Sequence, residues 1–301
     1  MSIAKYIKEI GRGKQGARSL SRVDAADLLG QVLDGSVTDL EVGGFCLAMR
    51  IKGETAQEMA GFLDATQSRL QRVPAATRPV VVIPSYNGAR KLPALTPLLA
   101  LLLAREGLPV LLHGVASEST RVFTSDVLEA LSIPAQAVVA AVPEGQVTFL
   151  PTALLCPGLQ RLLDVRRAVG LRNPAHSLVK IMNPCAGKSL VLSSYTHPEY
   201  ALSMAATFEL TLANAMLIRG TEGESVADPR RMPKIDGFVN GQHILVQEAQ
   251  TGALTTLPDL PKEIDAVTTA RYIQNVLDGR YPTPAPISQQ VVHILNMVNH
   301  L

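Results

Sequence analysis

The segment Pro84–Lys91, PSYNGARK, follows an apolar run, Val80–Ile83, that reads as a buried strand. It precedes an apolar block, Leu98–Ala104, with the texture of a helix. Strand, glycine-bearing loop and helix is an arrangement in which backbone N–H groups cradle phosphates. Ser85 and Asn87 supply polar side chains there, Gly88 is the one glycine, and Arg90–Lys91 adds two cations. Such a loop can do phosphate chemistry or simply hold phosphates. Downstream, His113-Gly114 closes a second strand-like run, Val110–Leu112, and Ser119-Thr120 follows it. Glu222 and Glu224 in RGTEGESV are carboxylates that can meet a metal or pair with Arg230 and Arg231 of ADPRRMPK.

The charge pattern points to an anionic partner. The net charge is only +2, yet residues 1–22 carry a local +5, residues 78–91 carry +3 and residues 161–190 carry +5. The remainder of the chain is therefore about −11, so a neutral average hides a polarised molecule. The cations in and near these blocks include Arg12, Lys14, Arg90, Lys91, Arg166, Arg167 and Arg172. Each block taken alone also reads as a solvated face. With no Trp, six Tyr and six Phe, stacking platforms for bases are few, and Tyr6 and Tyr86 are the best-placed candidates. Cys46, Cys156 and Cys185 show neither CxxC nor Cys/His ligand spacing, which argues against a disulfide framework or zinc site. Leu98–Ala104 is too short to span a bilayer, and MSIAKYIKEIGRGKQGARSL lacks the apolar core of a signal peptide. The expectation is a cytoplasmic protein without a membrane partner, cofactor or bound metal.

The elements that must position these residues fall into two textures. Residues 1–74 read as an all-helical domain. Leu28, Leu29, Val32 and Leu33 recur at helical spacing up to Asp34-Gly35, a second helix ends at Gly53, and Thr55-x-x-Glu58 is a capping box. Residues 75–301 read as an α/β domain, from which a helical crossing back to the first domain is possible. Strand-like runs at Val80–Ile83, Val110–Leu112, Val147–Leu150, Leu190–Leu192, Ala215–Ile218 and Ile244–Val246 alternate with helices, predicting a mostly parallel central sheet. Ser125 and Ser288 are the expected caps of two of those helices, and a hairpin is expected to turn at Thr251-Gly252.

Residues 39–65, DLEVGGFCLAMRIKGETAQEMAGFLDA, resemble the amino-terminal helices of the anthranilate phosphoribosyltransferase family. LLHGVASESTRVFTSDVLEAL (residues 111–131) resembles its Lys-His-Gly-Asn-Arg segment, paired serines and Asp-Val-Leu-Glu-Ala-Leu helix. DVRRAVGLRNPAHSLVKIMNP (residues 164–184) is similar to its Pro-Val-Arg to Asn-Pro stretch. The resemblance covers most of residues 20–280 and implies a nucleoside phosphorylase/phosphoribosyltransferase-type fold. It also implies a helical domain that pairs two subunits, and a cleft that in the family holds phosphoribosyl pyrophosphate. The family's site transfers poorly. Its Gly-Thr-Gly-Gly-Asp diphosphate loop falls on PSYNGARK, where only Gly88 remains and Pro84 has no N–H. Of Lys-His-Gly-Asn-Arg, His113 and Gly114 remain, beside Leu112, Val115 and Ala116. Ser225 and Val226 stand where the family's Asp-Glu pair binds magnesium, and Cys156-Pro157 where it has His-Pro. Arg166 matches the arginine that contacts anthranilate.

Cations stand in the lost positions: Arg90 and Lys91 in the loop, Arg219 for a histidine, then Arg230, Arg231 and Lys234 past the metal pair. These departures resemble a non-biosynthetic, nucleic-acid-binding branch of the family. The resemblance implies a homodimer, without transferase activity, that holds DNA or RNA without sequence preference. Phosphate contacts then come from Arg12, Lys14, Arg90, Lys91, Arg166, Arg167, Arg172, Arg219, Arg230, Arg231 and Lys234. Ser85, Asn87, Gly88, His113, Gly114, Ser119 and Thr120 are left as a vestigial substrate site. A transferase with altered substrate and metal use, and a regulatory dimer with a protein partner, stay open as alternatives.

Overall fold

The computed structural model describes residues 2–115, 120–254 and 257–301, the Lys14 side chain excepted. Helices α1 (Ala4–Ile10), α2 (Gly13–Gly16), α3 (Arg22–Leu33), α4 (Asp39–Lys52) and α5 (Ala56–Gln67) come first. The chain then alternates through β1 (Val80–Ser85), α6 (Thr96–Arg105), β2 (Val110–Gly114), α7 (Thr124–Ala130) and β3 (Val147–Pro151). Three helices follow, α8 (Thr152–Leu155), α9 (Pro157–Val169) and α10 (Ala175–Leu178). The rest is β4 (Ser189–Tyr195), α11 (Pro198–Leu210), β5 (Ala215–Arg219), β6 (Ile235–Val239), β7 (Gln242–Gln247), α12 (Ala266–Leu277) and α13 (Ala285–Val298).

Two compact units emerge, Met1–Gln71 with Thr152–Pro184, and Arg72–Pro151 with Cys185–Leu301. Helices α8, α9 and α10 thus fall in the helical unit, the crossing back that the sequence leaves open. The reason is local packing: Arg161 donates to the Leu33 carbonyl at 2.7 Å, and the Gln71 amide donates to Leu155 O at 2.8 Å.

In the helical unit, capping boxes start both α4 (Thr38 with Glu41) and α5 (Thr55 with Glu58). Glu58 is fully buried and also accepts from Leu20 N at 2.9 Å and Lys52 Nζ at 2.6 Å. One carboxylate thus caps a helix, pairs with Lys52 and ties down Leu20 ahead of α3; losing it would take the acceptor from four donors. Phe45 and Phe62 meet edge-to-face between α4 and α5.

The second unit is built on a seven-stranded sheet ordered β3-β2-β1-β4-β5-β6-β7. The first five strands pair in parallel, and β6 and β7 are antiparallel additions. β1 and β2 are buried along their whole length, which is why they read as unbroken apolar runs. Chain direction switches sides between β1 and β4, so the loops leaving the carboxyl ends of β1, β4 and β5 are neighbours. That is the position at which open α/β sheets place their sites.

Three local expectations are corrected. The hairpin turns at Asn240-Gly241, both with positive φ (50° and 76°), between β6 and β7, and not at Thr251-Gly252. Ser125 is inside α7, and Phe123 just ahead of that helix has its amide satisfied by Asp126 at 2.9 Å. Ser288 is inside α13, which starts after Pro284. All three cysteines are buried and free, and burial pushes the thiols of Cys46 and Cys185 up to about 12.

Candidate functional site

The loop leaving β1 does present its backbone amides to anions, and the anions are the protein's own. Glu224 is 4 % exposed and accepts from Asn87 N at 2.7 Å and Gly88 N at 2.9 Å. Its other oxygen takes the Ser85 hydroxyl, with Thr96 Oγ1 3.5 Å away. Glu222 accepts from three successive amides, Arg90 N, Lys91 N and Leu92 N, at 3.0, 2.9 and 3.2 Å. Burial works to raise the Glu222 carboxyl, and these three amides outweigh it, holding the group below its ordinary value.

The hairpin-like turn that delivers both carboxylates is heavily tied. Glu222 and Gly223 both have positive φ, 53° and 90°. A Cβ on Gly223 would sit 1.7 Å from Asn87 Nδ2, so only glycine fits. Ser194 donates to Gly223 O at 2.7 Å, and Asn87 Nδ2 to Glu222 O at 3.2 Å. Gln290 of α13, fully buried, brackets the far side, donating to Ser225 O at 2.9 Å and accepting from Ala227 N at 2.8 Å.

This turn sets the fit of a metal. Ser225 donates to the Leu192 carbonyl at 2.7 Å, and Val226 is buried in the core. Of the nearest carboxylates, Glu224 has both oxygens committed to N–H and O–H donors, and Glu222 has Oε2 committed to three amides. Among the described residues no group of three or more His, Cys, Asp or Glu comes together. The residues at the family's magnesium position do not fit a divalent cation, and Glu222 and Glu224 do not pair with Arg230 or Arg231 as the sequence allows.

The other residues of the expected vestigial site are placed as follows. His113 is fully buried, and its Nδ1 lies 2.8 Å from the Tyr86 hydroxyl. Gly114 pairs with Ser85 across β1 and β2. Ser85 Oγ and Thr124 Oγ1 lie 2.8 Å apart. Thr120 is exposed, and Ser119 lies outside the described residues. Tyr6 and Tyr86 offer no stacking face: both are buried, with Tyr6 bonded to Asp27.

The cations of the second unit do converge. Lys91, Arg219, Arg230, Arg231 and Lys234 line one cavity of about 630 Å³, with Tyr195, Glu222 and Asp228. Five cations against two carboxylates leave a formal +3 on its walls. Arg90 is exposed on the same loop, outside the lining. Arg230 is gripped by Asp228 at 2.7 and 2.9 Å, and Lys234 pairs with Asp236 at 2.8 Å. Arg231 is aimed by carbonyls, those of Gly252 at 2.9 Å and Gln250 at 3.4 Å, and so is positioned without a carboxylate. Lys91 and Arg219 form no ion pair among the described residues. Tyr195, the last residue of β4, escaped the sequence reading; its place at the carboxyl end of the central strand was the available signal.

Arg12, Arg166, Arg167 and Arg172 belong to the helical unit. Arg12 bonds Glu9 at 2.6 Å, Arg167 lies 3.4 Å from Asp164, and Arg166 and Arg172 are half-buried. The Lys14 side chain lies outside the described part of the structure.

Comparison with known proteins agrees with the fold. Residues 4–69 match the helical bundle domain of the glycosyl transferase family. The chain is 43 % identical over 300 residues to the uncharacterized protein YbiB of Escherichia coli (strain K12), covering 97 % of this chain and 92 % of that one. It is 27 % identical over 284 residues to anthranilate phosphoribosyltransferase of Anaeromyxobacter dehalogenans (strain 2CP-C), covering 88 % and 80 %. Among solved structures, anthranilate phosphoribosyltransferase from Thermus thermophilus superposes with a TM-score of 0.72 at 21 % identity, over 95 % of this chain and 85 % of that one. The Saccharomyces cerevisiae enzyme in complex with PRPP and Mg gives 0.71 at 15 % identity, over 99 % and 88 %.

Proposed function

The chain belongs to the anthranilate phosphoribosyltransferase-like family that includes YbiB, and within it we propose a protein that binds nucleic acid through phosphates and transfers nothing. The observation that carries this reading is the convergence of Lys91, Arg219, Arg230, Arg231 and Lys234 on one cavity with a surplus of positive charge. Cations so placed release condensed counterions from a polyanion and give affinity without reading sequence. The alternative, a transferase with altered substrate, would have to expel two internal carboxylates from the amides that would hold a diphosphate.

A homodimer is part of the proposal. Leu40, Leu47 and Ile51 recur at helical spacing along one face of α4 and are 85, 42 and 64 % exposed. Pairing through that face would cover the stripe and double the number of phosphate sites on one particle. No helix among the described residues is long and apolar enough to cross a membrane.

The test is the affinity for a DNA oligonucleotide as a function of salt. Each phosphate contact contributes a slope of about −0.7 to −0.9 in log K against log salt. Lys91→Ala with Arg219→Ala should therefore flatten the slope by about 1.5 per subunit engaged. A flat wild-type slope, or no change in the double variant, would overturn the reading. Calorimetry with phosphoribosyl pyrophosphate and magnesium addresses the alternative: tight, metal-dependent binding would support transfer.

A further inference from the structure

A second cavity, of about 980 Å³, adjoins the cationic one and shares Arg230, Met232, Ala249 and Gln250 with it. Its character is different. Tyr272 and Tyr281 line it with Pro282, Pro284 and Gln289, and Arg230 is the cation among its walls. The Tyr281 ring lies over Tyr272 with centroids 5.9 Å apart and an interplanar angle of 30°. Tyr272 is 6 % exposed and is held in α12, whereas Tyr281 is 46 % exposed. A buried ring thus backs an exposed one. Prolines on the chain after Tyr281 restrict the backbone that carries it, so the platform is ordered before anything binds.

Charge decides what enters. Glu248 and Asp259 line this cavity, so a phosphate is repelled from it and drawn to the neighbouring walls of Lys91, Arg219 and Arg231. A ligand spanning both cavities must be anionic at one end and flat and uncharged at the other. Resting on the phosphate-binding reading above, we infer that the tyrosine cavity receives an unpaired base of the same strand whose phosphate occupies the cationic cavity. Arg230, fixed by Asp228 on the shared wall, sits at the junction of base and backbone. Stacking on a tyrosine face is tolerant of base identity, so the cavity adds affinity for exposed bases without a sequence code.

The experiment compares two labelled strands of equal length, a thymidine oligonucleotide and its abasic deoxyribose-phosphate counterpart, titrated with the full chain by fluorescence anisotropy. Phosphate number is constant, so the salt-dependent part of binding is shared. Wild type should hold the base-bearing strand about tenfold more tightly. Tyr281→Ala should bring that ratio close to one with an unaltered salt slope, and Tyr281→Phe, which keeps the ring, should preserve it. A ratio of one in the wild type, or a ratio that survives Tyr281→Ala, would overturn the base site while leaving phosphate binding intact. Salt-independent binding of both strands would count against the phosphate-binding reading itself.

Discussion

Glu224→Ala tests whether the loop after β1 is an anion nest filled from within. Removing the carboxylate orphans Asn87 N and Gly88 N, which it now binds at 2.7 and 2.9 Å in a site where Glu224 is 4 % exposed. A buried donor left without a partner costs about 1–3 kcal/mol, so the two amides together cost about 2–6 kcal/mol. The Ser85 hydroxyl adds less, since Thr124 Oγ1 is already 2.8 Å away. Glu224→Gln retains an oxygen for both amides and exchanges charge-assisted for neutral bonds, costing about 1–2 kcal/mol. Urea denaturation midpoints should thus fall in the order wild type, Gln, Ala. The sharper readout is rescue. Formate matches the lost carboxylate, and at a hundred times its dissociation constant it should return about 2.7 kcal/mol to Glu224→Ala. At equal ionic strength chloride should return much less, and neither salt should act specifically on wild type. A Glu224→Ala protein as stable as wild type, or formate stabilising both proteins alike, would refute the reasoning.

Three further outcomes are expected. Burial, reinforced by the charge of Arg172, lowers His176 from its ordinary 6.5 to about 4. The unfolded chain then binds the extra proton between those values, so stability present above about 6.5 should decline as pH falls toward about 4 and level off below; denaturation midpoints should lose this dependence in His176→Gln. Ile51→Glu, at a side chain 64 % exposed on α4, should leave the melting temperature nearly unchanged and convert dimers to monomers in sedimentation, an unchanged assembly excluding this face. Gly223→Ala should destabilise the protein by more than about 1 kcal/mol, since both a φ of 90° and the Asn87 amide oppose a Cβ; thermal denaturation reads it.

Much of the fold was legible because burial left regular marks. β1 and β2 are buried along their whole length and read as continuous apolar runs, and Thr55 and Glu58 announced α5 by their spacing. β6 was missed because Asp236 and Gly237 interrupt it; Asp236 is tolerated there because Lys234 and His243 both reach it at 2.8 Å. The true hairpin turn carried the stronger Asn-Gly signal, overlooked in favour of a glycine further along. The site was legible in kind and not in arrangement. Side-chain type identified the cations, and sheet order brought Lys91 beside Arg219 and Arg231. Residue type could not tell that Tyr6 and Tyr86 are buried or that Tyr281 is exposed. The partnership of Asn87 with Glu224 spans 137 residues and breaks no local rule, so nothing along the chain marks it.

On the proposed reading, the two glutamates also explain how a substrate loop can lose its substrate without losing its shape. Five backbone amides, from Asn87, Gly88, Arg90, Lys91 and Leu92, converge at the end of β1, and the buried ones, those of Asn87 and Gly88, cannot be left without an acceptor. An internal carboxylate satisfies them permanently and brings the charge that a ligand would have brought. The amides of Arg90 and Lys91 then face inward to Glu222, and both residues are exposed. Backbone donors hold one anion in one geometry, whereas exposed cations accept phosphates in many. Filling the nest therefore removes selective recognition of a small anion and leaves charge suited to a repeating one. If that order of dependence is right, opening the nest with Glu224→Ala should let inorganic diphosphate stabilise the fold without strengthening its hold on DNA. Equal gains in both would mean that the amides and the cations still act as one site.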